Sequence, residues 1–267
     1  MNPAQTSIST CFSYDRSLED LLPLIAAARF THVSLGAKAP HSSYLSVSKR
    51  GSLRGLLDES DLRMDTIHGT RLDQHDSISN LTTAAEAAAF LNVPVVVVHA
   101  SSFNFDSSEF DKRLEVVLKN CETLLPVAED TGVRFALENV LPGPATDLVS
   151  SALDRLPREH FGFCYDSSHD QIGGPKPFDL LDGLADRLLA LHLSDRIREH
   201  VDHVIPGEGF IAWPVLCGKI RRSAYAGPIS LEVLTDYSKF KDQVGFLRQA
   251  YRQAERLYQL VFGQNAE

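Results

Sequence analysis

Short apolar, β-rich runs alternate eight times with longer stretches of helical periodicity, and no linker or low-complexity segment interrupts the series. The strand-like runs cover residues 6–11, 32–36, 64–68, 93–100, 134–139, 161–166, 188–193 and 229–234. Helical periodicity fills 18–30, 46–60, 77–91, 109–130, 147–156, 177–187 and 213–223, and 241–262 closes the chain. Gly51 and Gly55 weaken the pattern in the second of these, whereas Thr131 and Gly132 supply a helix stop. Repeated strand-then-helix units predict a parallel sheet, because parallel neighbours need a crossover long enough to hold a helix. The run VPVVVV from Val93 to Val98 suits a strand covered on both faces. An open doubly wound sheet usually has fewer strands and gathers ligands at one switch point, whereas here polar residues end nearly every run. The expected fold is α/β, a single (β/α)₈ TIM barrel formed by residues 1–267 as one domain.

A length of 267 residues agrees with the about 250 that such a barrel needs. A core of that size is stable without disulfide or metal staples, so any metal here would serve function. Cys11, Cys121, Cys164 and Cys217 are far apart, form no CxxC pair and read as reduced thiols. The net charge of −9 offers no general attraction to phosphate backbones, so no nucleic-acid partner is expected. The N-terminal MNPAQTSIST lacks the basic region and apolar run of a signal peptide. No stretch approaches the roughly 20 apolar residues of a membrane span. These features predict a cytoplasmic protein acting on a small molecule.

The last residues of the later strands are unusual. The third run ends at His68, the fourth at His99, the fifth at Glu138 and the sixth at Asp166, followed by His169. The seventh ends at His192 and the eighth carries Glu232. In a barrel these ends converge on one rim, where active sites are built. A lone histidine at a strand end is usually a hydrogen-bonded structural residue. Glu138 and Glu232, however, sit in apolar surroundings, where an unpartnered carboxylate is costly. Together with Asp166 they would repel strongly unless a cation or shared protons compensated. Three carboxylates and one imidazole, Glu138, Asp166, His192 and Glu232, suit Mn²⁺, Mg²⁺, Co²⁺ or Zn²⁺. His68 and His99 mark a candidate second metal position, bridged by Glu138.

With these residues the sequence resembles the xylose isomerase-like barrels, which include sugar isomerases, sugar epimerases and apurinic endonucleases. In the keto-sugar 3-epimerase branch a Glu, Asp, His, Glu set holds one metal, implying Glu138, Asp166, His192 and Glu232 here. That branch also grips substrate with a His three residues after the Asp and an Arg six after the His, positions held by His169 and Arg198. The stretch PGEGFIAW, residues 206–213, resembles the branch's loop after strand seven. The endonuclease branch holds three zinc ions, and His68, His99, Glu138, Asp166, His169, His192, His203 and Glu232 match its set. The Asp expected two residues before His203 is replaced by Val201, and Asp202 is displaced by one residue.

The resemblance implies a sugar or sugar-phosphate isomerase or epimerase that transfers a proton beside a carbonyl through a metal-stabilised enediolate. Glu138 and Glu232 would be the catalytic acid and base, with His169, Arg198 and His203 on the substrate. The alternative is a metal-dependent hydrolase or lyase with two or more metals. A small sugar or polyol is the expected partner, and such barrels are often homo-oligomers. Phe103, Phe105 and Trp213 are candidates for the pocket wall or for packing, and Arg71 and Asp73 for reaching the site through the third loop. His32, His41, His75, His160 and His200 read as surface or structural residues.

Overall fold

The eight apolar runs become strands β1 (Thr6–Ser9), β2 (His32–Leu35), β3 (Arg63–His68), β4 (Val95–His99), β5 (Arg134–Glu138), β6 (Phe161–Asp166), β7 (Leu188–His192) and β8 (Ile229–Leu231). The computed structural model describes residues 4–170 and 176–263, so the first three residues of MNPAQTSIST lie outside the described residues. All neighbouring strands are parallel, in the order β7-β6-β5-β4-β3-β2-β1-β8. The seam closes just beyond β7. There Leu193 bridges Leu231 and the Leu193 amide donates to Ser230 O at 2.9 Å. The result is the expected (β/α)₈ barrel.

Helices α1 (Leu18–Ala27), α2 (Val47–Glu59), α3 (Ser77–Leu91), α4 (Phe110–Thr131), α5 (Pro144–Leu153), α6 (Asp179–Gly183), α7 (Trp213–Arg222) and α8 (Gln243–Phe262) follow the strands in turn. The main core lies between strands and helices, while Val95, Val97, Ala136, Cys164 and Ala190 form a separate cluster inside the barrel. Helix α2 survives its two glycines because both face open space, while Leu53 and Leu57 are buried. Buried Arg50 adds an anchor, donating to Tyr44 O and Thr83 O. Helix α6 is shorter than the periodicity predicts. It stops at Gly183, and a 3₁₀ turn over Ala185–Arg187 completes the crossover, pinned by Arg187 donating to Leu156 O and Phe161 O. β1 also ends early, turning into a 3₁₀ segment whose first turn is capped by the Ser9 hydroxyl. No helix among the described residues is long and apolar enough to cross a membrane.

Candidate metal centre

Strand register places the strand-end residues side by side, His99 opposite Glu138 and Asp166 opposite His192. Glu138 is the hub. Its Oε2 lies 3.1 Å from His68 Nε2 and 3.2 Å from His99 Nε2, and its Oε1 lies 2.9 Å from His192 Nδ1. The same His192 nitrogen is 2.9 Å from Glu232 Oε2. Glu138, Asp166 and His192 are buried and Glu232 nearly so. Ligand-capable atoms of Glu138, Asp166, His192 and Glu232 all lie within 4.8 Å of one another. Two further groups meet the same limit and share members with the first: His68 with Glu138 and His192, and Asp166 with His169 and His203.

The hydrogen bonds settle which imidazole nitrogens face inward. A carbonyl can only accept, so Gly69 O at 3.0 Å fixes the proton on His68 Nδ1, and Asn139 O at 3.2 Å fixes that on His169 Nδ1. Carbonyl acceptors of this kind orient metal-ligating histidines. The His169 Nε2 is thereby a bare lone pair, buried and without a hydrogen-bond partner among the described residues. Asp166 shows the same deficit. Its Oδ1 accepts from the amides of Ser168 and His169, whereas its buried Oδ2 accepts no hydrogen bond among the described residues. Buried acceptors are ordinarily paired. Asp166 Oδ2 lies 3.3 Å from His169 Nδ1, and a carboxylate oxygen without a hydrogen bond and a bare imidazole lone pair beside two more carboxylates fit a cation.

The electrostatics agree. Burial works against the charged His192 ring, but Cys164, Glu232 and Glu138 outweigh it and hold the imidazole well above its usual value. Burial opposes ionised Glu138 and Glu232 as well, and the histidines overcome it. Glu138 is held well below the usual carboxylate range, and Glu232 comes down to about 2. A proton on His192 thus supplies part of the positive charge that the carboxylates demand.

Other expected residues fall in several places. His203, in a left-handed conformation, is held by Ser194 Oγ at 3.0 Å and sits against His169. Arg198 is exposed, and its backbone amide donates to Asp202. Asp202 belongs to none of the three converging groups, its Oδ2 accepting from the amides of Ile197, Arg198 and Glu199. Phe103 packs edge-on against both His99 and His169, forming an apolar wall. Trp213 is a loop anchor. Arg71 and Asp73 brace the third and fourth loops, with Asp73 Oδ2 bound by Ser101 and Arg113.

Sequence reading missed three buried residues that shape the rim. Asn139 brackets Asp166, donating to its carbonyl at 2.9 Å and accepting from its amide at 2.8 Å. Arg196 donates to Ser168 O, and Asp195 gathers the β7–α7 loop. For Asn139 alone a signal existed, an amide directly after a strand-end ligand; the other two act on distant backbone.

A family model described as xylose isomerase-like TIM barrel matches residues 22–250. An uncharacterized protein of Sinorhizobium fredii is 23% identical, over 93% of this chain and 91% of its own. The crystal structure of a D-tagatose 3-epimerase-like protein has a TM-score of 0.77 at 20% identity, with 96% of each chain covered. That of D-psicose 3-epimerase in the presence of D-fructose has a TM-score of 0.76 at 13% identity, covering 97% of this chain and all of the other.

Proposed function

This chain belongs to the xylose isomerase-like TIM-barrel family, and we propose that it is a divalent-metal-dependent isomerase or epimerase of a sugar or sugar phosphate. The observation that carries this reading is the pair Glu138 and Glu232, both 2.9 Å from one nitrogen of His192 at the carboxyl rim. Two carboxylates held around one point can serve a carbon between them, one removing a proton and the other returning one. Similarity to a D-tagatose 3-epimerase-like protein and to D-psicose 3-epimerase supports a sugar as substrate.

Glu138, Asp166, His192 and Glu232 would hold the metal, with Mn²⁺, Mg²⁺, Co²⁺ and Zn²⁺ all suited to three carboxylates and an imidazole. Such a cation supplies Lewis-acid stabilisation of the negative charge that develops on substrate oxygens. Glu138 takes the proton from the carbon beside the carbonyl. Glu232, ionised in the resting site, takes up a solvent proton during the reaction and returns it to the opposite face for epimerisation, or to the neighbouring carbon for isomerisation. We assign His169, His203 and Arg198 to substrate oxygens, with Phe103 excluding water. The cytoplasm is the assigned compartment, where the four unpaired cysteines stay reduced.

One observation favours a second reading, a hydrolase or lyase with two or more metals. His68 and His99 both face Glu138 Oε2, and Asp166, His169 and His203 form a third converging group. Metal content after reconstitution separates the readings: one ion per chain supports the epimerase, two or three support hydrolysis. Exchange tests the chemistry. In D₂O the Mn²⁺-loaded protein should place deuterium beside the carbonyl of a ketohexose, and E138Q and E232Q should each lose about 10²–10⁴-fold. Either variant exchanging at the parent rate sinks the assignment.

A further inference from the structure

The opposite end of the barrel is also open. TIM-barrel interiors are usually filled by layers dominated by bulky branched side chains. Here the inward positions of one layer are Ser7, Ala136 and Ala190, with Asp65 as the fourth member. Asp65 owes its place to a β-bulge. Across Val33 to Leu35 of β2 the β3 partners run from Met64 to Ile67, so β3 carries one extra residue. A bulge re-aims side chains. Asp65 is thereby bonded across the barrel by Ser7 Oγ at 2.9 Å, while its neighbour Thr66 meets Ser34 Oγ.

Below this layer lies a cavity of about 670 Å³ at the amino-terminal mouth, within the size range of small-molecule sites. Asp65, Thr66 and Tyr225 line it, and Arg54, Arg63 and Arg134 contribute guanidinium groups. Asp65 is only 7% exposed, and a buried carboxylate demands hydrogen-bond donors. Among the described residues none of the three arginines has a carboxylate within ion-pair distance; Arg54 instead stacks over Phe90. Asp58 also lines the cavity, so the arginines exceed the acids there by one charge. Tyr225 is tied to Pro228 O, which fixes the wall formed by the α7–β8 loop.

We propose that this amino-terminal mouth is a second small-molecule site, for a phosphorylated polyol whose phosphate meets the arginines and whose hydroxyls donate to Asp65. Several guanidinium groups on separate elements suit a phosphate with its several acceptor oxygens better than a single planar carboxylate. The carboxylate beneath them repels an anion and accepts hydroxyls, which sets the ligand's direction. The site stands on residues that the metal centre does not use.

Calorimetric titration with glucose 6-phosphate tests it, using glucose, gluconate and inorganic phosphate as comparison probes. Parent protein and E138Q should bind glucose 6-phosphate alike. R63A/R134A, which alters one exposed and one half-buried side chain, should weaken binding about tenfold or more. Asp65→Asn should weaken glucose 6-phosphate while leaving inorganic phosphate unchanged. The proposal is overturned if glucose 6-phosphate does not bind, if R63A/R134A binds as the parent does, or if E138Q abolishes binding and so moves the ligand to the metal centre. Inorganic phosphate binding as tightly as glucose 6-phosphate overturns the polyol assignment, and gluconate binding as tightly overturns the phosphate.

Discussion

Asp195 makes the order of the β7–α7 loop measurable. Its carboxylate is fully buried, and each oxygen accepts two hydrogen bonds. Oδ1 takes the amides of Arg196 and Ile211 at 2.9 and 3.0 Å, and Oδ2 takes the Gly207 amide and the Trp213 indole at 2.8 and 2.9 Å. Asp195→Asn keeps the shape and removes one acceptor. Whichever way the amide turns, its NH₂ faces two donors that can no longer be satisfied. An orphaned buried donor costs about 1–3 kcal/mol, so the substitution should cost about 2–6 kcal/mol. For a chain of this size each kcal/mol lowers the thermal midpoint by about 2–4 °C. Thermal unfolding of metal-free parent and D195N, followed by circular dichroism, reads the shift directly. The same loop holds His203 through Ser194, so any weaker second Mn²⁺ step should fall in parallel while the tight step at the central set stays. A D195N midpoint equal to the parent's would refute the argument that four converging donors define this loop.

Gly162 lies just before the Phe163–Cys164 step where β6 and β7 slip register, and a Cβ there would stand 2.6 Å from Arg187 O and closer still to Leu189; Gly162→Ala should cost about 1–3 kcal/mol by overpacking, read in urea unfolding. Asn139→Leu removes both hydrogen bonds that bracket Asp166 and should weaken Mn²⁺ binding about 10–100-fold with the circular dichroism spectrum preserved. His41 Nε2 donates to Arg16 O, and burial pushes its imidazole below the usual 6.5. The unfolded chain therefore binds the extra proton first, and stability is lost as pH falls below about 6.5. Ring ¹⁵N shifts should show His41 still neutral at the pH where a free imidazole is half protonated.

The barrel was legible because its signal is repeated: eight apolar runs and their crossovers each state the same period, so a local error changes one boundary and not the topology. The errors that occurred have local causes. Gly183 and buried Arg187 shorten α6, and the chain bends at Ser9 because residues past the strand end turn to line the rim. The convergence of the candidate centre was legible for a related reason. Strand ends are the one place where topology alone brings distant side chains together, and Glu138, Asp166, His192 and Glu232 needed no loop geometry to be found. Residues whose work is done on distant backbone, such as Asp195 and Arg196, carry no comparable signal. Asp65 was hidden more deeply, because a one-residue bulge decides which face of β3 it joins. Arg198 is expected on the substrate from the family resemblance, and the loop fixes its backbone through Asp202.

The displaced acid at Asp202 bears on how many ions the rim could hold. Its carboxylate is spent on three backbone amides, and Val201 is 49% exposed, so the group of Asp166, His169 and His203 has one carboxylate, shared with the central set. The central set has three carboxylates, and divalent-ion affinity rises with ligand charge. The position beside His68 and His99 likewise borrows its carboxylate, Glu138, from the centre. Metal should therefore fill the centre first. A second ion at either side then competes for an oxygen already engaged and meets the repulsion of the first. Titration of the metal-free protein with Mn²⁺ should give one tight step and any further step much weaker, with D166N weakening the tight step and H203A leaving it in place. Two equal tight steps would show that the borrowed carboxylates bridge without loss, and would move the chemistry toward hydrolysis.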